Sequence, residues 1–259
     1  MLGAIAGDVI GSVHEFLGQK TKEFPLFVDG SRFTDDTVLS IAVADCLLTG
    51  ASYVDRLRAY AKKYPDRCYG MGFWRWVESG SSRPYNSWGN GAAMRVSPIA
   101  FAFETLEKVL DEAKASAEVT HNHPEGIRGA QAAAAATFLA RQGEPKDNIR
   151  SMIEERFGYD LSRTTAVIRQ TYTFNESCQE TVPEAITAFL DSQDYEDAVR
   201  LAISLGGDAD TLACVTGGIA GAFYRGVPES IATRALALLD HDLRATVTRF
   251  CETYSIAIP

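Results

Sequence analysis

Two short acidic segments stand far apart in the chain. One is Thr34-Asp35-Asp36-Thr37, the other Gly206-Gly207-Asp208-Ala209-Asp210-Thr211. Each sets two carboxylates and a hydroxyl at the opening of an apolar helical run. Brought together, Asp35, Asp36, Asp208 and Asp210 would form a cluster that stays ionised only around cations. Thr34 and Thr211 would add hydroxyl oxygens beside them. An all-oxygen donor set without His or Cys suits hard ions, Mg²⁺ or Mn²⁺ rather than Zn²⁺. One divalent ion would leave charge uncompensated, so a second is expected. Each segment alone also reads as an ordinary helix start, with Thr34 as N-cap and acids in the first turn. The pairing favours the metal. Gly206-Gly207 allows a tight backbone approach before the second motif. Gly217, Gly218 and Gly221 behind it call for a closely packed neighbour, which capping alone does not need.

Other residues could complete such a site. Glu15 falls where the first helix should end and reads either as a third acidic group or as a solvated carboxylate. Asp8, inside an apolar run, is costly to bury unpaired and reads as a hydrogen-bonded structural acid. Ser87-Trp88-Gly89-Asn90-Gly91 is a Gly-rich turn feeding a helix, able to offer backbone N–H groups to a phosphate. Trp88 could stack on a base or belong to the core. His121 and His123 lie in a polar loop before Pro124. Their i, i+2 spacing is not a helix-face metal pair, which leaves a plain polar loop or ligand contact.

The elements that must position these groups are helical. Apolar periodicity marks helices over 37–48, 53–64, 92–117, 124–142, 145–157, 183–190, 194–205, 211–224, 228–239 and 243–254. Pro98 is expected to start or kink a segment, and Pro145 and Pro183 to open helices. Ala132 through Ala136 suit a central, closely packed helix. No run of alternating β-branched residues marks a strand, and only 171–174 comes near one. No linker or repeat divides the 259 residues. The expectation is all-α: one compact domain, 1–259, of many short helices around a dinuclear metal cleft.

The hydrophobic fraction of 46% supports a core, and the net charge of -9 argues against non-specific binding to nucleic acid or anionic membrane. Cys46, Cys68, Cys178, Cys214 and Cys251 are scattered, odd in number and form no CxxC pair. Buried free thiols in a reducing, cytoplasmic setting are expected. The start of the chain reads as neither signal peptide nor membrane span.

Taken in order, GDVIGSVHEF (7–16), FTDDT (33–37), SWGNGAAMRVSPIA (87–100), THNHPEGIRGAQA (120–132) and SLGGDADTLACVTGGIAGAFYRG (204–226) resemble the ADP-ribosylglycohydrolase family across nearly the whole chain. That family includes dinitrogenase-reductase-activating glycohydrolases and ADP-ribosylarginine and ADP-ribosylserine hydrolases. The resemblance implies an all-α fold with two Mg²⁺ or Mn²⁺ at the base of a cleft. Thr34, Asp35 and Asp36 would hold them from one side, and Asp208, Asp210 and Thr211 from the other. Glu15 matches a mobile acidic residue near the scissile bond. Ser87, Gly89, Asn90 and Gly91 match the loop around the phosphates and inner ribose, with Trp88 inside that loop at a variable position. His121 matches a pocket residue near the distal ribose.

The implied reaction is hydrolysis at C1″ of ADP-ribose, joined to a modified protein side chain or a small conjugate, through an oxocarbenium-like transition state. Nucleic-acid-linked ADP-ribose is a further candidate. Glu15 is the expected acid/base group and Asp35 the competitor. A monomer is expected. The alternatives are a two-metal phosphohydrolase or diphosphate-processing enzyme, and a non-catalytic ADP-ribose-binding relative. Against the diphosphate alternative, Asp35-Asp36 is not followed by the third acid of a DDxxD element.

Overall fold

In the computed structural model, residues 1–258 are described. They contain fourteen α-helices: α1 (Leu2–Gly11), α2 (Asp35–Thr49), α3 (Tyr53–Lys63), α4 (Met71–Ser79), α5 (Ile99–Ala102), α6 (Leu106–Glu118), α7 (Pro124–Gln142), α8 (Lys146–Phe157), α9 (Thr165–Ile168), α10 (Cys178–Asp191), α11 (Tyr195–Ile203), α12 (Ala209–Phe223), α13 (Glu229–Ala237) and α14 (His241–Thr253). A single 3₁₀ turn spans Asn90–Ala92. Among the described residues there is no strand, only an isolated bridge between Gly89 and Ser177. The all-α expectation holds.

The arrangement is organised around α12, buried from Ala209 through Ala220. α1, buried along its whole length, lies against it. Glycine makes this approach possible. A methyl group on Gly3 or Gly7 would overlap the carbonyls of Gly217 or Ala213, and on Gly11 it would lie 2.5 Å from Asp210 Cα. The backbones therefore touch, as the glycines of the second motif predict. Tyr195 of α11 ties the pair by donating to Gly3 O at 2.7 Å. α7 packs on α12 from another side, and Ala132 through Ala136 are all buried there. Small side chains let α7 pack closely against α6, α10 and α12.

Two boundaries differ from the sequence reading, and two short helices are not expected from it. The expected helix over 92–117 is broken. Phe103 is extended (φ -128°, ψ 154°), and Thr105 begins α6 as an N-cap whose side chain accepts from Lys108 N. Pro98 precedes α5, as expected of a starter. Pro183 does not open a helix but lies inside α10. The start is set upstream, where Cys178 N donates to Trp88 O at 2.9 Å and ties the helix to the 87–91 turn. Pro183 forfeits one helical hydrogen bond within an otherwise buried element. α4 and α9 went unseen because neither carries a long apolar period. Cys46, Cys178, Cys214 and Cys251 are buried free thiols, but Cys68 is exposed, with φ 67°. Among the described residues no helix is long and apolar enough to cross a membrane.

Candidate metal centre and active-site cleft

Both acidic motifs are helix N-termini, and the fold points the two termini at each other. Thr34 is the N-cap of α2 and accepts from Asp36 N at 3.3 Å. Asp208 precedes α12. The motifs meet where Thr211 Oγ1 donates to Asp36 Oδ2 at 3.2 Å. Gly206, at φ 74°, supplies the left-handed turn that swings the chain into α12.

α1 adds a third wall. Asp8 is fully buried and crowns the start of α2. Its Oδ2 accepts from Thr34 N at 3.0 Å, from Thr37 N at 3.2 Å and from the Thr37 hydroxyl; its Oδ1 accepts from Thr34 Oγ1 at 2.7 Å. A carboxylate there satisfies free amides and complements the helix dipole. The expected structural role is thus visible. Yet one oxygen each of Asp8, Asp36 and Asp210 lie within 4.8 Å of one another, and so do oxygens of Glu15, Asp208 and Asp210. Asp210 belongs to both groups. Gly11 causes this proximity, because its contact with Asp210 brings Asp8 and Glu15 alongside the second motif.

The charges are held at a cost. Burial, then the Asp210 charge, raise Asp35 and Asp36 well above the usual carboxylate range. Burial, then Asp208, do the same to Asp210. Burial lifts Asp208 to about 6 despite a hydrogen bond from Asn90. Glu15 is lifted to about 7 by burial first, then by Asp210 and Glu176. Asp8 is also raised by burial, against the pull of its hydrogen bonds to Thr37 and Thr34. Buried carboxylates in such numbers are the environment of a cation site. Asp36 Oδ1 supports the fit: it is buried with no hydrogen-bond partner among the described residues. The donors are all oxygen, so a hard divalent cation suits them.

Above the carboxylates opens a cleft of about 240 Å³. Glu15, Asp35, Asp36, Asp208, Asp210 and Thr211 line its floor; Ser87, Gly89, Asn90, Gly91 and His121 line its wall. Asn90 links wall to floor, since its Nδ2 donates to Asp208 Oδ2 at 2.7 Å and to Thr181 Oγ1 at 3.2 Å. Of the sequence-selected residues, two lie elsewhere. The Thr34 hydroxyl is not on the cleft wall; it is spent on Asp8 and on capping α2. Trp88, 51% exposed, sits edge-on to His123 in a neighbouring surface groove with Phe174 and Glu180. The turn is also less open to a phosphate than its glycines suggest. Gly89 N donates to Ser87 Oγ at 3.1 Å and Asn90 N to Glu176 O at 2.7 Å. Both bonds stiffen the turn instead.

Sequence reasoning missed Glu176, Arg95, Cys68 and Tyr85, which also line the cleft. Glu176 lies in an irregular loop with no pattern to mark it. Arg95 had a signal in retrospect, a lone cation in the apolar run Ala92–Ile99.

The sequence matches the family described as ADP-ribosylglycohydrolase over residues 1–256. It is 28% identical to the ADP-ribosylhydrolase ARH3 of Homo sapiens, in an alignment covering 89% of this chain and 86% of that protein. It is 27% identical to the ADP-ribosylarginine hydrolase Tri1 of Pseudomonas putida, over 86% of this chain and 69% of that protein. A solved structure titled ADP-ribosylglycohydrolase-related protein complex superposes with a TM-score of 0.70 at 25% identity, covering 98% of this chain and 97% of the other.

Proposed function

Because the chain belongs to the ADP-ribosylglycohydrolase family, we propose that it hydrolyses the glycosidic bond at C1″ of ADP-ribose in ADP-ribosylated side chains or related conjugates. One observation carries this reading: the α2 and α12 termini converge on a carboxylate floor beneath a cleft walled by the 87–91 turn and His121. The relatives named above as ADP-ribosyl hydrolases support the substrate class.

Asp35, Asp36, Asp208, Asp210 and Thr211 would hold two Mg²⁺ or Mn²⁺ ions, whose chemistry is to orient ribose hydroxyls and to polarise water. The remaining work falls to this chain. Thr34 and Asp8 fix the start of α2 and so the directions of Asp35 and Asp36. Asn90 holds Asp208 against the wall. The anionic floor favours positive charge developing at C1″. Glu15 is the acid/base group. Its value of about 7 leaves it able both to take a proton from water and to return one to the leaving group near neutrality. Burial, then the Asp210 charge, hold Asp35 well above the usual carboxylate range when no cation is bound, and its place at the α2 terminus beside Asp36 suits a ligand better than a proton carrier. The protein acts as a monomer and in a single domain on the ADP-ribose half of its substrate. Nucleic-acid-linked ADP-ribose carries the same ADP-ribose half and is a further candidate for the same chemistry.

A panel of arginine-, serine- and nucleic-acid-linked ADP-ribose and O-acetyl-ADP-ribose, assayed with Mg²⁺, Mn²⁺ or chelator, tests the reading. Release of free ADP-ribose from at least one linkage, abolished by chelator, is expected. No release from any linkage with either metal would reject it.

A further inference from the structure

A second buried polar group stands behind the cleft wall. Arg95 is fully buried, and its Nη2 donates to Ser116 O at 2.7 Å and to Thr120 Oγ1 at 2.9 Å. Thr120 is equally buried, and its Oγ1 lies 2.7 Å from His121 Nδ1. A guanidinium has only donors, so Thr120 Oγ1 must accept from it. The hydroxyl proton of Thr120 then has one acceptor in reach, His121 Nδ1. A proton on Nδ1 would take the second lone pair of Thr120 Oγ1 and leave the threonine proton in the interior with no acceptor. That arrangement costs the full desolvation of a buried donor. Burial, and then the Arg95 charge, also hold His121 well below its ordinary range, against the imidazolium.

The other ring nitrogen faces the turn. A methyl group on Gly91 would lie 3.2 Å from His121 Nε2, and one on Gly89 3.6 Å from it. Glycine at both positions keeps the space in front of Nε2 open to the cleft, which His121 lines. The floor there is made of acceptors: Glu15, Asp35, Asp36, Asp208 and Asp210. A fixed donor on the wall is the complement that an acceptor oxygen of a ligand requires.

We propose that Arg95 and Thr120 are positioning residues that lock His121 as the neutral Nε2–H tautomer, so that it presents one hydrogen-bond donor to a hydroxyl or phosphate oxygen in the cleft. The tautomer follows from the protein's own geometry, whereas the ligand contact rests on the function proposed above. The chain runs from a donor that cannot deprotonate, through a hydroxyl that must pass its proton on, to a ring left with a single assignment.

Two-dimensional ¹H–¹⁵N NMR of the histidine ring nitrogens reads the tautomer directly, with His121→Gln identifying the resonances. In the wild-type protein at neutral pH, Nε2 should be protonated and Nδ1 bare. Thr120→Val, which removes the hydroxyl at nearly constant shape, should release the ring into a mixture of tautomers, and Thr120→Ser should restore the single form. Calorimetric titration with ADP-ribose should give a Kd about tenfold weaker for Thr120→Val, recovered by serine. A wild-type ring protonated on Nδ1, or on both nitrogens, would overturn the proposal even if the valine variant fails to fold. So would a folded valine variant that keeps a pure Nε2–H ring. If the wild type has the expected ring but does not bind ADP-ribose, the tautomer lock stands and the ligand assignment falls.

Discussion

Replacing Asp210 by Asn should stabilise the protein without metal and disable it with metal. Asp210 is the carboxylate common to both acidic groups, in each of which the oxygens lie within 4.8 Å of one another. At an effective dielectric constant of about 20, two unit charges ~5 Å apart repel by about 3 kcal/mol. Partial protonation already relieves some of this, since burial and mutual repulsion raise Asp35, Asp36 and Asp210 well above the carboxylate range. A net gain on the order of 1–3 kcal/mol remains for the neutral isostere, which keeps an oxygen to accept from Thr211 N. In chelator, Asp210→Asn should melt several degrees above the wild type, at roughly 2–4 °C per kcal/mol. Cations at about a hundred times their Kd should raise the wild type by ~2.7 kcal/mol and leave the variant nearly unmoved. Scanning calorimetry with and without Mn²⁺, beside an assay of ADP-ribose release, gives both readouts. A variant that melts below the wild type in chelator, or that gains as much from Mn²⁺, would refute the reasoning.

Further expectations follow from the same geometry. Glu15 and Asp208 carry raised values of about 7 and about 6 against ordinary ones of 4.5 and 3.8. Between these limits the folded chain binds more protons than the unfolded chain, so metal-free stability should fall as pH rises from about 4 through 7. For Asp208 the loss is on the order of 3 kcal/mol; half-exposed Glu15 adds less. Urea titrations in chelator at pH 5 and pH 7.5 would show the trend, Mn²⁺ should cancel it, and a rise in metal-free stability over this range would contradict it. Glu15→Gln should cost about 10²–10⁴ in kcat with little change in melting temperature, whereas retention of most of the wild-type rate would assign the proton transfer elsewhere. Gly11→Ala sets a methyl group 2.5 Å from Asp210 Cα. It should destabilise by about 1–3 kcal/mol and weaken Mn²⁺ binding, both measurable by calorimetry.

Much of this site is legible in the chain because its parts obey local rules. A threonine followed by two acids opens a helix wherever it occurs, and glycines at four-residue spacing announce a helix pressed against backbone. Both signals survive without knowledge of the fold, and so Thr34–Asp36 and Asp208–Thr211 could be paired. What local rules do not carry is direction. Thr34 has the right chemistry for a ligand, but its hydroxyl turns to Asp8, a residue whose burial partners lie on another element. Trp88 shares a turn with Gly89 and Asn90, yet the bridge to Ser177 sends it outward while Asn90 goes inward. Glu176 reaches the cleft only through the packing of the loop before α10. Proline's preference for first turns points to Pro183 as a start, and the contact of Cys178 with Trp88 overrides that preference by opening α10 five residues earlier.

The presence of cations between the two helix termini is the claim on which the rest depends. Anomalous diffraction at the manganese edge from crystals grown with Mn²⁺ tests it most directly. Two peaks are expected at the junction of α2 and α12, each within about 2–2.6 Å of carboxylate oxygens from Asp36, Asp208 or Asp210. A map with no peak there at saturating Mn²⁺, or with peaks only on surface carboxylates, would contradict the claim.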